Sequence, residues 1–437
     1  MNVVQPDGTV IILGKEQEDV VHAAVHAIRS GKMLYQYSAP AGCGKSVVLR
    51  AIVQELGYDE DEIAPMAYTG AAAMVMKHNG FWTAKTCHSW LYAPVIKEEY
   101  DPDLHKYIKV TTFVWKPMRD DIKLILIDEA SMIDTTLRMD IEKNHIPVIA
   151  CGDLDQLPPI GGKSAYLNTA IERVDRLTKI MRQEANSAIV LLSRFIRSGG
   201  EPKVGSYGEV EVIDLSQLSS QMLLRSEIII CGYNHTRDEI TRGIRNSLGF
   251  RTDLPTSGEK IVCRENNWDI TVDDVNMVNG MIGRCENLDG SISNLDERKG
   301  KIIFRLNFRP LLFPNIVFTN VAADYQYFIS DQNGREKIKA EERRSKWLRR
   351  RRANKFEFGY VITTHMSQGS QYNSGVYISQ RFRDSIQPQL DYTGITRFKH
   401  HCIYVLPTSF TARYYPPKGR VKPMNKVVMY INDQPQI

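Results

Sequence analysis

The chain has 437 residues, with 56 basic and 51 acidic side chains and a formal net charge of +5. This length fits two or three domains, and the near balance of charges excludes a strongly basic protein, so any nucleic-acid surface must be local. The sequence contains no apolar run near twenty residues, and we therefore expect no membrane span.

The cysteines and the N-terminus indicate the cellular compartment. The seven cysteines are scattered and never form a CxxC pair, which argues against both a disulfide scaffold and a zinc site. The segment MNVVQPDGTVIILG lacks the basic-then-apolar layout of a signal peptide. We expect a protein of a reducing cytoplasm.

The first motif along the chain is a phosphate-binding loop. APAGCGKS, which begins at Ala39, lies between MLYQYS, a run suited to a buried strand, and SVVLRAIVQEL, which has helical apolar spacing. A P-loop requires this order, because its backbone N–H groups wrap nucleotide phosphates where a helix begins. Ala39 replaces the usual first glycine, at little cost if its φ is negative. The predicted nucleotide-binding residues of the loop are Ala41, Gly42, Cys43, Gly44, Lys45 and Ser46.

A second strand ends in two carboxylates. LILIDEAS, residues 124–131, is an apolar run followed by Asp128 and Glu129. In a P-loop enzyme, Lys45 reaches the β and γ phosphates, and Ser46 and Asp128 hold Mg²⁺. Glu129 would polarise the attacking water. An Asp-Glu pair alone usually marks the start of a loop, but the P-loop upstream favours the catalytic interpretation.

A third strand places an amide beside the same site. IPVIACGDLDQLPPI, residues 146–160, is an apolar run that ends at Gly152 and Asp153 and continues to Gln156. Ligands of open parallel sheets gather at the carboxyl ends of the strands, so the three strand ends should converge. Gln156 is therefore predicted to contact the γ-phosphate, although an isolated glutamine here would be an ordinary loop residue.

In this order the three segments resemble motifs I, II and III of superfamily-one helicases, and other segments match the same pattern. LGKEQEDVVHAAV places Gln17 at the head of a helix, as in the adenine-reading Q motif. AYTGAAAMVM and AKTCHSWL resemble DNA-contacting motifs, which implies that Thr69, Thr86 and His88 face the strand. A solvated helix residue is an equal alternative for Gln17, and a lone histidine is more often structural.

The second half of the chain continues the resemblance. LTKIMRQE, residues 177–184, is similar to motif IV, with Arg182 as an arginine finger, although an arginine there is commonly just solvated. GYVITTHMSQGSQY resembles motif V, with Thr364 and His365 on the DNA. LDYTGITRFKHH resembles motif VI, with Arg397 as the second finger.

Four positions depart from the family pattern. Ala39 replaces a glycine, Met366 stands where many relatives carry lysine, and Gly394 replaces an alanine. Gln371 stands where some relatives carry an acidic residue, which leaves the ribose contact open. None of the four removes a charge assigned to catalysis. The motif order, short chain and sparse inserts most resemble the phage Dda and bacterial RecD types, which translocate 5′ to 3′ on single-stranded DNA.

The resemblance implies an α/β fold with two RecA-like parallel-sheet domains, a β-hairpin insert in the first and a small β-barrel-like insert in the second. The predicted boundaries are 1–185 for the first ATPase domain with a hairpin at 92–118, 186–257 and 355–410 for the second, 258–354 for the β-rich and basic insert, and 411–437 for a C-terminal tail. In relatives such a hairpin forms a pin that splits the duplex. Tyr100, at its bend, stacks on a base or is simply an exposed turn residue.

The insert also contains the basic run EERRSKWLRRRR, residues 341–352. One interpretation is a solvated helix face; the other is a surface that contacts phosphates, with Trp347 stacked on a base or anchoring the helix.

The resemblance implies ATP and Mg²⁺ as cofactors and single-stranded and fork DNA as partners, in DNA replication, recombination or repair. It further implies a monomer in a bacterial or phage-infected cytoplasm, with a single-strand binding protein as a candidate partner. Three alternatives stay open: a translocase that displaces proteins, an RNA helicase, and a binding module that does not hydrolyse ATP. No residue is assigned to a 2′-hydroxyl, and the binding module would require a missing lysine, acid or finger.

Overall fold

The computed structural model of the chain contains three six-stranded sheets. Two of them lie in α/β parts of the chain, which we call the first and second layers, and the third is an antiparallel sheet. The structure describes residues 1–5, 7–101, 106–158, 164–170, 172–179, 187–273, 275–288, 295–298, 301–344, 353–382 and 386–408. Within these ranges, no helix is long and apolar enough to cross a membrane.

The first layer is formed by the N-terminal part of the chain. Its elements are β1 (Asn2–Val4), β2 (Val10–Ile12), α1 (Lys15–Arg29), β3 (Leu34–Ser38), α2 (Lys45–Leu56), β4 (Ile63–Ala67), α3 (Gly70–His78), β5 (Lys85–Thr86), α4 (Cys87–Leu91), β6 (Tyr92–Asp101), β7 (Lys106–Trp115), β8 (Leu124–Asp128), α5 (Thr135–Glu142), β9 (Val148–Gly152) and β10 (Asp175–Arg176). The strand order is β10-β3-β9-β8-β4-β5, and all the pairs are parallel.

Helices cover both faces of this first sheet, which explains its continuously apolar strands. Every residue of β4, β8 and β9 is buried. One core cluster joins α1, α2 and α3 to the sheet, with Val48 and Ile52 packed near Tyr37. A second cluster, on the other face, includes Leu137 and Ile141 of α5. Parallel strands packed in this way bring their carboxyl ends to one edge.

A long hairpin leaves the first layer where the sequence predicts one. β6 and β7 pair antiparallel from Tyr92 opposite Trp115 to Asp101 opposite Lys106. Near the tip, Tyr100 and Tyr107 face each other with ring centroids 5.5 Å apart. They are 52% and 72% exposed, so the hairpin presents two aromatic rings to solvent.

The remaining elements follow in chain order. They are α6 (Ala188–Arg197), β11 (Gly205–Tyr207), β12 (Val210–Ile213), α7 (Ser220–Arg225), β13 (Ile228–Cys231), α8 (Asn234–Ser247), β14 (Lys260–Cys263), β15 (Asn267–Val272), β16 (Val275–Met277), β17 (Ile282–Glu286), β18 (Leu295–Arg298), β19 (Lys301–Pro310), β20 (Phe318–Asp324), α9 (Tyr325–Ile329), α10 (Gln332–Arg344), β21 (Phe356–Phe358), β22 (Val361–Thr363), α11 (Thr364–Ser367), β23 (Tyr372–Gln380), α12 (Gln387–Ile395) and β24 (Phe398–Thr408).

The second layer has the sheet order β11-β12-β24-β23-β13-β22. Only the β11–β12 pair of this described sheet is antiparallel; the other pairs are parallel. The chain leaves this layer after α8 and returns to it at β22. The two motifs that follow β22 therefore belong to the second layer, on α11 and α12.

The insert between α8 and β22 is an antiparallel sheet with the order β18-β19-β17-β14-β21, and β20 pairs with β19. Its core is rich in phenylalanine, including Phe304, Phe308 and Phe356. Because Phe356 packs in this core and β21 pairs with β14, the antiparallel sheet extends to Phe358, beyond the predicted boundary at residue 354.

A buried ion cluster attaches the insert to the second layer. The carboxylate of Glu357 on β21 lies 3.0 Å from Arg237 of α8 and 3.0 Å from Arg264, with Arg335 of α10 at 3.4 Å. Burial opposes ionisation of Glu357, but the arginine charges outweigh it and lower its pKa to about 2. Arg237 also contacts Met366 of α11, so the cluster reaches the motif V segment.

Candidate nucleotide-binding site

The P-loop lies between β3 and α2, at the carboxyl edge of the first sheet. Gly42 and Gly44 have φ values of 81° and 77°, which a side chain would disfavour. Ala39 is not among the described residues with positive φ and is buried at 3% exposure. The condition for tolerating an alanine here is therefore met, and the loop keeps the conformation that phosphate binding requires.

Lys45 and the two carboxylates meet as the sequence predicts. The Nζ atom of Lys45 lies 2.7 Å from Asp128 Oδ1 and 3.0 Å from Glu129 Oε1. Burial disfavours the ammonium charge, but the two carboxylates outweigh it, so the pKa of Lys45 lies above its ordinary value. Lys45 is therefore charged at any physiological pH and can transfer its contacts to phosphate oxygens.

Arg397 belongs to the second layer, and its charge acts on Glu129. Burial alone would raise the pKa of Glu129, but the charges of Lys45 and Arg397 hold it below its ordinary value. Arg397 is 5% exposed, and its guanidinium donates to Thr393 O and Thr396 Oγ1 at the end of α12. A fixed positive charge thus faces the predicted water-activating carboxylate across the cleft.

The end of β9 supplies a further buried carboxylate. Gln156 is 7% exposed, and its Nε2 donates to Asp153 Oδ2 at 3.3 Å. Asp153 also accepts a hydrogen bond from the Tyr392 hydroxyl at 2.7 Å. Burial raises the pKa of Asp153 to about 6. Gln156, which is predicted to contact the γ-phosphate, is therefore hydrogen-bonded to Asp153 of its own layer. Asp153 in turn is hydrogen-bonded to Tyr392 of the second layer.

Two more hydrogen bonds close the cleft beside this group. The Leu157 N–H donates to Thr393 Oγ1 at 3.1 Å, and Gln368 Nε2 donates to the Leu157 carbonyl at 3.2 Å. The segments that resemble motifs III, V and VI therefore contact one another directly. A change at the nucleotide site can reach the second layer through these contacts.

Gln17 braces the P-loop. It is 2% exposed, its Oε1 accepts from the Gly14 N–H at 3.0 Å, and its Nε2 donates to the Cys43 carbonyl at 2.9 Å. The predicted adenine-reading amide is therefore hydrogen-bonded at both ends to the chain's own backbone.

Ser46 and Asp128 have the donor chemistry that Mg²⁺ prefers, hydroxyl and carboxylate oxygens, with phosphate and water completing the shell. Asp128 is 7% exposed and lies beside Lys45, and the Ser46 hydroxyl is held by Asn79 Nδ2 at 3.4 Å. These two residues fit the predicted metal site.

The predicted DNA-facing residues of the first layer fall into two classes. Thr69 is half-buried and caps α3, its Oγ1 accepting from the Ala72 N–H, and His88 is exposed between the rings of Tyr68 and Tyr92. Thr86 differs: its side chain is 3% exposed and caps α4. The prediction that the Thr86 side chain faces the strand is wrong, because its hydroxyl is used inside the fold.

The motif V residues require a similar correction. Thr364 is fully buried, and its Oγ1 donates to the Cys231 carbonyl at 3.3 Å, so its side chain does not face a strand. His365 is half-buried, and burial lowers its pKa. Gly369, with φ of 77°, packs on the first turn of α3; a Cβ there would lie 2.6 Å from Ala72 Cβ. The motif V loop therefore rests on α3, the helix of the DNA-contacting motif AYTGAAAMVM.

Two predicted functional residues, Arg182 and Trp347, lie outside the described residues. Among the described residues before Arg182, the backbone N–H groups of Thr178 and Lys179 donate to the Glu16 carboxylate.

Three residues of the site were not predicted from the sequence. Tyr392 and Asp153 meet across the cleft, and Tyr68, which is 36% exposed, lies beside His88. Tyr392 precedes Arg397 within YTGITR, and Asp153 precedes Gln156 within GDLDQ. Their positions inside recognised motifs were the available signal.

Comparisons with known proteins show what the chain resembles. A family model described as an AAA domain matches residues 13–217. The ATP-dependent DNA helicase RRM3 of Saccharomyces cerevisiae is 30% identical over 208 residues, which cover 42% of this chain and 27% of the relative. The chain thus spans about a quarter of the length of that curated relative.

Solved structures show the fold. The Pif1 helicase of Candida albicans has a TM-score of 0.52 at 18% identity, covering 90% of this chain and 94% of that one. Bacteroides Pif1 bound to single-stranded DNA has a TM-score of 0.50 at 15% identity, covering 92% and 96%. The predicted fold class, with RecA-like parallel-sheet layers, is confirmed.

Proposed function

We propose that the chain is an ATP-dependent DNA helicase of superfamily one, which couples ATP hydrolysis to movement along single-stranded DNA. The observation that carries this proposal is the cleft in which Lys45, Asp128 and Glu129 of the first layer face Arg397 of the second. The similarity to a protein named as an ATP-dependent DNA helicase supports the choice of nucleic acid.

In the proposed mechanism, the P-loop N–H groups and Lys45 hold the phosphates of ATP at the edge of the first sheet. Glu129 orients the attacking water, and Arg397 stabilises the charge that develops on the transferred phosphoryl group. Mg²⁺, held through Ser46 and Asp128, would neutralise phosphate charge. Phosphoryl transfer depends mainly on such positioning, so hydrolysis requires both layers to be closed on the nucleotide.

Closure would move the DNA-binding surfaces relative to each other. The strand is proposed to cross the carboxyl edges of both sheets, past Thr69 and His88 on one layer and His365 on the other. The contact of Gly369 with α3 links these surfaces, so opening the cleft changes their spacing. Separating one base-pair step costs about 1.4 kcal/mol, a modest load for one round of closure.

The proposed function is tested with ATPase and unwinding assays. We expect single-stranded DNA to stimulate hydrolysis more than single-stranded RNA does, and a partial duplex with a 5′ tail to be unwound. The 5′ to 3′ direction is proposed from the resemblance to short helicases with small inserts. Unwinding of only the 3′-tailed duplex would reject that direction but keep the ATPase assignment, and hydrolysis that no nucleic acid stimulates would reject the function.

The hairpin gives a second prediction. Deleting residues 97–106 keeps the strand pairs from Tyr92–Trp115 to Ile96–Thr111 and leaves four residues as the connection. If the exposed tip splits the duplex, unwinding should be lost while DNA-stimulated hydrolysis is kept.

The matched control for the hairpin is Tyr207→Ala, which removes a 46% exposed tyrosine from the second layer. It should leave both activities unchanged. Equal unwinding by the deletion variant and the intact chain would contradict the pin and favour a translocase that does not use the hairpin.

A further inference from the structure

A tyrosine from the second layer is hydrogen-bonded to the phosphate-binding loop of the first. Tyr392 on α12 is 1% exposed. Its hydroxyl accepts a hydrogen bond from the Ala41 N–H at 3.2 Å and donates one to Asp153 Oδ2 at 2.7 Å. We call this pair of hydrogen bonds the Tyr392 latch. It joins α12, the P-loop and the end of β9 through a single oxygen atom.

Burial alone does not account for this arrangement. A buried tyrosine hydroxyl needs a partner, but it usually finds one close by. Tyr377 and Tyr404 in the same layer do so, because both donate to Asp391 within that layer, at 2.9 and 3.0 Å. Tyr392 follows Asp391 in sequence and instead reaches across the cleft. Asp391 thus fixes the helix α12 to its own sheet, and Tyr392 fixes it to the P-loop.

The latch lies close to the arginine finger. Thr393 accepts the Leu157 N–H across the cleft, and its carbonyl accepts the Arg397 Nε at 3.0 Å. The contacts of Tyr392 and Thr393 therefore position the segment that carries Arg397. Without the latch, the P-loop should keep its fold. Arg397, however, should occupy its position facing Glu129 for a smaller fraction of the time.

We propose that Tyr392 is a positioning residue that seats α12, and with it Arg397, on the P-loop for hydrolysis of a nucleoside triphosphate. This inference rests on the proposed function. Tyr392 acts through Arg397. The Tyr392 hydroxyl itself transfers no proton and no phosphoryl group. Removing the hydroxyl takes away the 2.7 Å hydrogen bond to Asp153 Oδ2 and leaves that buried oxygen with the longer 3.3 Å bond from Gln156, which disfavours closure.

The test compares Tyr392→Phe with Tyr404→Phe. Each variant removes one buried hydroxyl from one buried carboxylate and keeps the ring, so the two should lose similar thermal stability. For Tyr392→Phe, we expect kcat for DNA-stimulated ATP hydrolysis to fall about tenfold or more, the effect of losing a buried hydrogen bond to a carboxylate. Its KM for ATP and its affinity for a non-hydrolysable ATP analogue should change by no more than about twofold, because the interaction acts on closure and the transition state. Tyr404→Phe should keep its kcat.

Three kinetic outcomes would overturn the inference. Unchanged kcat in Tyr392→Phe would show that the latch does not position Arg397. A raised KM with unchanged kcat would make the hydroxyl an ATP-binding group instead. Equal losses of kcat in both variants would reduce Tyr392 to a structural residue.

A second measurement separates this inference from the proposed function. Hydrogen exchange at the Leu157 N–H, with the ATP analogue bound, should be faster in Tyr392→Phe than in the wild type and in Tyr404→Phe. This readout needs no hydrolysis, so it holds even if DNA fails to stimulate the wild-type enzyme. Equal protection in all three proteins would reject the latch.

Discussion

Lys45→Ala is expected to lower ATP hydrolysis by at least about three orders of magnitude, because a charge that contacts the transferring phosphoryl group contributes on that scale. In the structure Lys45 is the cation that contacts both Asp128 and Glu129. The alanine variant therefore loses the phosphate contact. It also leaves the two buried carboxylates without the ammonium group of Lys45. DNA affinity should be largely kept, since the proposed DNA surfaces lie elsewhere. Steady-state hydrolysis and DNA titration measure the two properties separately.

The stability of this variant must be measured as well. Breaking a buried ion pair typically costs about 3–5 kcal/mol, so we expect a lower melting temperature in the absence of nucleotide. Lys45→Arg keeps the charge but not the geometry and should also be inactive. Lys15→Ala, which removes an exposed lysine paired with Asp19, is the control and should be active. Near-normal turnover by folded Lys45→Ala would reject the P-loop assignment.

Arg397→Ala is expected to bind ATP but to hydrolyse it with a kcat lower by at least about 10³, the contribution of an arginine finger. The guanidinium lies close enough to Glu129 to hold its pKa down, yet it is anchored within its own layer by Thr393 and Thr396. It can therefore act on the transition state without being needed for ground-state binding. Single-turnover hydrolysis and nucleotide titration distinguish these two roles.

Two variants control for this prediction. Arg397→Lys keeps a positive charge but cannot make the same fork of hydrogen bonds, so it should recover little activity. Arg251→Ala removes an arginine that bonds Asn246 at the surface and should behave as wild type. If ATP affinity collapsed in Arg397→Ala while the remaining turnover was normal, the residue would be a ground-state binder.

The parts of the site that the sequence predicted well are local in the chain. The P-loop and the acidic strand each combine a strand, a turn and a functional side chain within about ten residues, and such patterns depend on backbone geometry that the sequence encodes directly. Lys45, Asp128 and Glu129 meet because parallel strands end at one edge, which is a property of the fold class. Their contact was therefore predictable before the structure.

Contacts between distant segments were not predictable in this way. The Tyr392–Asp153 hydrogen bond joins residues 239 positions apart, and no local pattern specifies which hydroxyl meets which carboxylate. The same limit explains Thr86 and Thr364, which were assigned to the DNA from the motif resemblance. The Thr86 hydroxyl caps a helix by bonding nearby backbone, a common role for threonine. The Thr364 hydroxyl bonds the Cys231 carbonyl, 133 positions away, which no local pattern specifies.

One short element was missed although its signal was present. β1 and β2 form a hairpin at the N-terminus, with Val4 opposite Val10 and with Asp7 and Gly8 in the connection. Asp-Gly between apolar runs favours hairpin turns.

The hydrogen bonds of Gln17 bear on which nucleoside triphosphate the site recognises. Both ends of its amide are already bonded to Gly14 and Cys43, so a base can reach the amide only by breaking a contact that braces the P-loop. The phosphates, which every nucleoside triphosphate shares, then carry most of the recognition. If the proposed hydrolysis takes place, weak discrimination among nucleoside triphosphates is therefore expected.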